Sequence, residues 1–206
     1  MSMQYWNNMY RSIEKINPTD SIWLNQYKDL LSETKEKPII DLGCGSGSDS
    51  IYLLNNGYSV ISCDFSKEIL DKLVDFDSRI NPRHFDIQNG LPFKGSRAYI
   101  VLASLSLHYF TWEKTEKIVS EIKRVLEPGG YVICRLNSVN DINYGAGKGI
   151  KIEENFYEIE GYYKRFFDKP TIEKLFSCWE ITVLKESNIS RYEKAKKAWE
   201  VVVKKP

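Results

Sequence analysis

The chain has 206 residues, 42% of them hydrophobic and 13% aromatic, a composition that fits one globular domain and excludes a disordered chain. Lys and Arg number 29 against 28 Asp and Glu, so the net charge of +1 gives no reason to expect a nucleic-acid or anionic-membrane partner. Because no basic and apolar leader and no long apolar run is found, we expect a soluble, cytoplasmic protein that does not engage a membrane.

Helical and strand-like patterns alternate over the first two thirds of the chain. Helical spacing predicts helices over residues 20–35, 48–56, 66–76 and 111–126, with Ser66 as the cap of the third. Short apolar runs predict strands over residues 38–42, 58–63, 83–87, 98–105 and 131–136. Since the strands are apolar on both faces, we expect a parallel sheet wrapped by helices.

The last third of the chain changes character. Residues 137–161 are polar and contain several glycines, which is typical of a functional lid or a mobile loop. A helix over 171–176 and strands over 179–184 and 198–203 are predicted after it. The charged stretch between these two strands is interpreted as a solvated loop; it contains Arg191, Lys194, Lys196 and Lys197.

The cysteine pattern argues against metal binding and disulfides. The four cysteines are widely spaced, without a CxxC pair or a nearby His at metal-ligand spacing; they are Cys44, Cys63, Cys134 and Cys178. Two of them lie in apolar strand-like runs. Buried free thiols are therefore favoured over disulfides, and no metal site is predicted.

A glycine-rich turn follows the first predicted strand. It reads Asp41-Leu42-Gly43-Cys44-Gly45-Ser46-Gly47. Glycines at alternate positions allow a tight turn and a close approach of the backbone to a ligand. The amides that open the next helix offer hydrogen-bond donors to an anionic group. Asp41 adds a carboxylate at the edge of this pocket, where a cationic amino group can lie.

Two further acids are expected beside the glycine turn. Asp64 closes the second strand, where it can accept hydrogen bonds from both hydroxyls of a ribose, and Phe65 can pack on an adenine face. Asp86 ends the third strand, where it can accept from an exocyclic amine while Ile87 offers an amide and an apolar wall. Each acid alone could equally be a turn former or a helix cap. Their common register with the glycine turn favours a ligand crevice at the carboxyl ends of the strands.

These residues resemble a known family. The glycine turn, Asp64, Asp86, the fourth strand running into Leu107-His108, and Leu126-Glu127-Pro128-Gly129-Gly130 resemble the class I S-adenosylmethionine-dependent methyltransferases over residues 37–136. The resemblance implies an α/β fold with a Rossmann-like, seven-stranded, mostly parallel sheet, helices on both faces and an antiparallel last strand. One departure is Tyr99, which stands where the family often has an acid, at the far end of the fourth strand from the pocket.

The resemblance also implies S-adenosylmethionine as the cofactor. Asp41, Gly43 and Gly45 would surround its methionine part. Asp64 would hold the ribose, and Asp86 with Ile87 the adenine. The candidate cofactor-binding residues are Asp41, Gly43, Cys44, Gly45, Asp64, Phe65, Asp86, Ile87 and Ser104.

The resemblance suggests how a single domain over residues 1–206 would be divided. The aromatic run over residues 5–10 is either a cover over the cofactor or a helix packed on the sheet edge. The expected segments are a helical cover over 1–36, a cofactor-binding core over 37–136, a lid or acceptor insertion over 137–167, and a closing helix with strands over 168–206.

The acceptor is expected to be a small molecule. The end of the fourth strand lacks the Asn/Asp-Pro-Pro-aromatic motif of enzymes that methylate amide or adenine nitrogens, and it lacks an acid for a divalent metal. His108 is the candidate general base, although it could equally be a packing residue, and Tyr109 could instead hydrogen-bond the acceptor. Lys164 and Arg165 either steer an anionic substrate or are solvated strand charges.

Two other functions remain open on the sequence alone. A dinucleotide-dependent oxidoreductase would prefer G-x-G-x-x-G, whereas the third glycine here comes one residue early. A non-catalytic S-adenosylmethionine-binding protein would keep the same turn. The acceptor, the methylated atom and the oligomeric state are not predicted.

Overall fold

The structure is a computed structural model, and it describes residues 2–19, 21–34, 37–190 and 192–206. Within this part of the chain the strands are β1 Ile39–Leu42, β2 Val60–Asp64, β3 Pro82–His84, β4 Ala98–Ser104, β5 Leu126–Asn137, β6 Ile150–Glu153, β7 Phe156–Ile159, β8 Tyr162–Arg165, β9 Glu180–Ile189 and β10 Lys196–Lys204. The α-helices are α1 Ser2–Ser12, α2 Lys28–Ser32, α3 Ser48–Asn55, α4 Lys67–Phe76, α5 Trp112–Val125 and α6 Lys169–Leu175.

The main sheet has seven strands in the order β3-β2-β1-β4-β5-β10-β9. Strands β1 to β5 run parallel to one another. The last strand, β10, is antiparallel to both of its neighbours, β5 and β9. The predicted Rossmann-like sheet with an antiparallel last strand is confirmed.

Helices cover both faces of the main sheet because its strands are apolar on both sides. On one face, Ile40 belongs to a buried cluster that includes Ile122 of α5. On the other face, Ile39 packs in a second cluster with Leu53 of α3 and Leu31 of α2. All of these side chains are at most 1% exposed. The prediction of helices on both faces is therefore confirmed.

The N-terminal region differs from the single helix predicted over residues 20–35. A 3-10 turn over Ile22–Tyr27 precedes the short α2, while residues 20 and 35 lie outside the described residues. Ser66 stands at the N-cap of α4 as predicted, but its hydroxyl makes no capping hydrogen bond. None of the helices in the described part of the chain is long and apolar enough to cross a bilayer.

The segment over 137–161 is more ordered than a bare loop. Strand β7 pairs with β6 on one side and with β8 on the other in a small antiparallel sheet. In β8, Lys164 and Arg165 are 7% and 3% exposed, so the interpretation of these residues as solvated strand charges is wrong. The division of the chain at residues 36, 136 and 167 stays a prediction.

The charged stretch after β9 is also only partly a solvated loop. Lys196 and Lys197 belong to β10, and Lys196 is 4% exposed because its ammonium pairs with Asp141, the two atoms lying 2.9 Å apart. The solvated-loop interpretation is therefore wrong for Lys196, while Lys194 is exposed as expected and Arg191 lies outside the described residues.

The cysteines are free, as expected. Cys63 and Cys134 are buried and Cys44 is partly buried. Cys178 is exposed, so the expectation of burial is wrong for this one thiol.

Candidate functional site

A cleft with a volume of about 300 Å³ opens at the carboxyl ends of β1, β2 and β4. Its wall includes every predicted cofactor-binding residue, namely Asp41, Gly43, Cys44, Gly45, Asp64, Phe65, Asp86, Ile87 and Ser104. Tyr109 also lines the cleft, whereas His108 is not among its lining residues. The parallel strands bring these residues together from four separate parts of the sequence, as the register of the acids predicts.

The glycine turn has a geometry that other residues cannot adopt without strain. Gly43 has a φ of +71°, and a Cβ there would lie 2.6 Å from Cβ of Ser106. Gly47 has a φ of +79°, and its Cβ would lie 2.3 Å from Cδ2 of Leu73 in α4. Both positions therefore require glycine for conformation and for space.

Asp64 holds the glycine turn against the end of β2. Its Oδ2 accepts a hydrogen bond from the amide of Gly45 at 3.0 Å, and its Oδ1 accepts from the amide of Ser66 at 2.9 Å. Burial raises the pKa of the Asp64 carboxyl, while these two amides act in the opposite direction. Each oxygen keeps a lone pair that a ligand hydroxyl can use.

Asp41 is 1% exposed and lies at the floor of the cleft. Its Oδ2 accepts a hydrogen bond from Ser50 Oγ at 2.7 Å, and Ser50 Oγ lies 2.8 Å from Ser62 Oγ. Burial, followed by the charge of nearby Asp49, raises the pKa of Asp41 to about 8. A cationic ligand group at this position would stabilise the ionised carboxylate.

Asp86 has a structural role as well as a place in the cleft. Strand β3 ends at His84, so the prediction that Asp86 closes this strand is wrong. Asp86 instead caps a 3-10 turn over Ile87–Asn89, and its Oδ1 accepts from the amide of Gln88 at 2.9 Å. Strand β3 ends before Asp86 because it is a short strand at the edge of the sheet with little burial.

The sequence did not predict a polar network at the floor of the cleft. Arg135 of β5 donates to Ser104 Oγ from Nε at 2.9 Å and from Nη2 at 2.7 Å. Asp49, which also lines the cleft, accepts from Trp23 Nε1 at 2.9 Å and lies 4.0 Å from the Arg135 guanidinium. The guanidinium in turn stacks over the Trp23 ring, 4.1 Å from its centroid. An arginine within an apolar strand is the one signal that could have indicated this network.

Helix α1 forms one wall of the cleft. Trp6 and Tyr10 of α1 line it, and the Trp6 ring meets the Tyr109 ring edge-on with centroids 5.4 Å apart. Two buried polar atoms of the lining, Trp6 Nε1 and Ser106 Oγ, have no hydrogen-bond partner within the described residues. Buried polar atoms without partners are uncommon and point to a group that a ligand supplies.

Leu105 lies in the cleft with strained backbone. It has a φ of +57°, an uncommon value for a residue with a Cβ, and its amide donates to the carbonyl of Arg135 at 2.9 Å. Strain of this kind is typical of functional sites. No feature of the sequence indicates it.

His108 and Tyr109 differ in their access to the cleft. His108 is 1% exposed, and burial together with the charges of Lys196 and Lys164 holds its pKa well below the usual value. Its Nδ1 has no hydrogen-bond partner in the described part of the chain. Burial also raises the pKa of Tyr109, so its hydroxyl keeps its proton. The geometry thus gives the candidate general base His108 no direct contact with a ligand in the cleft.

Among the described residues, no group of three or more His, Cys, Asp or Glu side chains is placed to hold a metal ion. The polar groups of the cleft instead include four carboxylates, those of Asp41, Asp49, Asp64 and Asp86.

Comparison with known proteins gives a consistent match. Residues 39–130 match a family described as "Methyltransferase domain". The chain is 33% identical over 96 residues to an uncharacterized methyltransferase of Synechocystis sp., covering 45% of this chain and 43% of that protein. It is 28% identical over 164 residues to tRNA N(3)-cytidine methyltransferase METTL2 of Gallus gallus, covering 73% of this chain and 44% of that protein. The chain spans less than half of the length of these curated relatives.

A solved structure shares the fold. An S-adenosylmethionine-dependent methyltransferase of Methanosarcina mazei aligns with a TM-score of 0.74 and 19% sequence identity, covering 87% of this chain and 97% of that chain. At this identity the likeness establishes the fold alone.

Proposed function

We propose that this chain, whose residues 39–130 match a methyltransferase-domain family, is a class I S-adenosylmethionine-dependent methyltransferase, and that it transfers the methyl group of this cofactor to a small-molecule acceptor in the cleft. One observation carries the proposal. Asp41 of β1, Asp64 of β2 and Asp86, which lies two residues after β3, line a single cleft beside the glycine turn.

The residues of the cleft fit the chemical groups of S-adenosylmethionine. Its amino group and sulfonium are cationic, and Asp41 is a buried carboxyl whose ionisation burial and Asp49 oppose, so a cation beside it is favoured. Asp64 and Asp86 keep free lone pairs for ribose hydroxyls and an exocyclic amine. Trp6 Nε1 supplies an unpaired donor in the same cleft.

When bound, the cofactor supplies a methyl group on a positively charged sulfur that is already a good leaving group. The chain therefore has to align the acceptor and exclude water, and alignment alone is worth roughly 7–11 kcal/mol in favourable cases. Trp6, Tyr10 and Tyr109 cover the cleft and serve the exclusion of water. Because Tyr109 keeps its proton, its role is to donate a hydrogen bond that orients the acceptor.

The covered cleft and the neutral charge balance support a small acceptor. Helix α1 lies along the cleft and contacts β8 of the small sheet, so this side of the cleft is covered. The net charge of +1 gives no surplus of positive charge for a phosphate backbone. The relatives named as tRNA methyltransferases supply the competing acceptor, which the activity experiment has to include.

Calorimetry tests the cofactor. We expect S-adenosylmethionine and S-adenosylhomocysteine to bind with micromolar affinity and NAD not to bind. Asp64→Asn should weaken binding at least tenfold, whereas Asp71→Asn, at an exposed aspartate of α4, should not change it. Binding of NAD alone would overturn the proposal in favour of an oxidoreductase.

Transfer of a radiolabelled methyl group tests the acceptor. The protein is incubated with labelled S-adenosylmethionine and either a small-molecule extract or total tRNA. Label in a small-molecule product supports the proposal, and label in tRNA contradicts it. Cofactor binding with no transfer to either fraction identifies a non-catalytic binding protein.

A further inference from the structure

The loop after β4, the loop after β5, strand β8 and strand β10 bring charged and polar side chains together beside the cleft. We call Lys164, Lys196, His108 and Asp141 the basic cluster. The four side chains belong to residues that are at most 7% exposed. Charged groups are seldom buried to this extent unless they are paired.

The positive charge of the basic cluster is only partly compensated. Lys196 pairs with Asp141, and the second oxygen of Asp141 accepts from the amide of Lys197 at 3.1 Å. For Lys164, the hydrogen-bond acceptor found in the described part of the chain is the carbonyl of Tyr144, at 2.9 Å. Within the described residues Lys164 forms no salt bridge, although the charges of Asp141 and Glu160 act on it, and its ammonium has unused donors.

The neighbours of Lys164 include a second cation. Burial and the charge of Lys196 lower the pKa of Lys164 to about 8, against the opposing charges of Asp141 and Glu160. Both lysines also disfavour the charged form of His108. His108 Nδ1 has no partner among the described residues, so a buried polar atom without a hydrogen bond lies near the two lysines.

The basic cluster adjoins the cleft through aromatic rings. The Lys196 ammonium lies 5.5 Å from the ring centroid of Tyr192, and Tyr192 lines the cleft. The Lys164 ammonium lies 5.7 Å from the ring centroid of Tyr162. His108 contacts the ring of Tyr109, another lining residue, with centroids 4.2 Å apart. One layer of rings thus separates the cations from the end of the cleft where Tyr109 lies.

We infer that the methyl acceptor carries an anionic group, and that Lys164 with Lys196 attracts this group across the layer of rings at the Tyr109 end of the cleft. The inference rests on the proposed function, since it describes the acceptor of that reaction. Arg165 does not take part, because its guanidinium is held by Glu153 and by the carbonyls of Phe110 and Glu154.

Paired carboxylates and amides test the inference without knowledge of the acceptor. Protein saturated with S-adenosylhomocysteine is titrated with acetate, benzoate and 4-hydroxyphenylacetate, and with the amide of each. We expect at least one carboxylate to bind more than tenfold more tightly than its amide. If no carboxylate binds better than its amide, the inference is wrong. A parallel titration with inorganic phosphate separates a phosphate-bearing acceptor from a carboxylate-bearing one.

Variants assign the effect to the cluster. Lys164→Met should reduce carboxylate binding more than tenfold, Lys164→Arg should retain most of it, and Lys194→Met serves as the control at an exposed lysine nearby. Lys164→Met should also melt no lower than the wild type, because it removes a buried cation without a carboxylate partner. A lower melting temperature with unchanged carboxylate binding would show that Lys164 is structural and would overturn the inference. Binding of S-adenosylhomocysteine alone is measured first, so failure of the proposed function is recognised separately.

Discussion

The ring of Tyr5 in α1 stacks on the ring of Tyr162 in β8, with centroids 4.6 Å apart and planes 29° from parallel. Trp6, which is also in α1, makes an edge-on ring contact with Tyr109 in the loop after β4. Helix α1 and the small sheet thus meet at the cleft through aromatic contacts. Since α1 contributes three lining residues, and Ile13 directly after it a fourth, the attachment of this helix decides how well the cleft is closed; the three are Trp6, Met9 and Tyr10.

Removing the Tyr5 ring should loosen this closure. A stacked aromatic pair is worth about 0.5–1.5 kcal/mol beyond area burial, so Tyr5→Ala should weaken S-adenosylhomocysteine binding by roughly two- to tenfold. We expect this weaker binding to come from faster dissociation of S-adenosylhomocysteine, which stopped-flow fluorescence measures. Tyr5→Phe keeps the ring and should behave as wild type. A loss of equal size in Tyr5→Phe would show that the ring contact is not responsible.

Two glycines with similar φ angles allow the conformational cost of a Cβ to be measured separately from its steric cost. Gly47 has a φ of +79° and a Cβ there would meet Leu73, whereas Gly57 has a φ of +83° and open space around it. Gly57→Ala should cost about 1–2 kcal/mol for the left-handed conformation. Gly47→Ala should cost about 1–3 kcal/mol more because of overpacking. Urea unfolding measures both, and equal losses would contradict the steric contact with α4.

Asp41 should make the stability of the ligand-free protein depend on pH. Its pKa is raised from 3.8 to about 8, so between these values the folded state binds a proton that the unfolded state has lost. The free energy of unfolding should therefore fall as pH rises from about 4 to about 8, and this contribution should level off above that. Asp41→Asn should remove this fall, while the exposed control Asp71→Asn should keep it. Parallel pH profiles of wild type and Asp41→Asn would contradict the raised pKa.

His108 should stay neutral throughout the physiological range. Burial and the two lysines hold its pKa well below 6.5, so its ring signals in NMR spectra should not shift between pH 6 and 8. His108→Gln identifies the signals by removing them. A titration midpoint of these ring signals near pH 6.5 would show that the His108 ring is hydrated. It would restore His108 as a candidate general base.

Much of the fold and the cofactor side of the cleft could be predicted from sequence because local patterns determine them. The apolar runs of β1 and β2 and the glycine turn between β1 and α3 are contiguous, and parallel strands necessarily bring Asp41 and Asp64 to one edge. Whether these residues bind S-adenosylmethionine stays a prediction until binding is measured.

The acceptor side could not be predicted because it depends on contacts between distant segments. Lys164 and Lys196 look like ordinary surface charges in sequence, and their burial follows only from the packing of β8 and β10 around the loops that carry His108 and Asp141. Tyr192 reaches the cleft from a charged stretch with no apolar pattern. Leu105 has a strained backbone that its type does not suggest.

The position of β10 has a consequence for synthesis of the protein on the ribosome. Residues 196–204 fill the gap between β5 and β9, and Val201 and Val203 are completely buried there. Until this stretch has left the exit tunnel, the hydrogen-bonding edge of β5 has no neighbour in the main sheet, and such edges recruit strands from other chains. Nascent chains that stall shortly before residue 196 should therefore be prone to aggregate and should need chaperones that shield an open sheet edge.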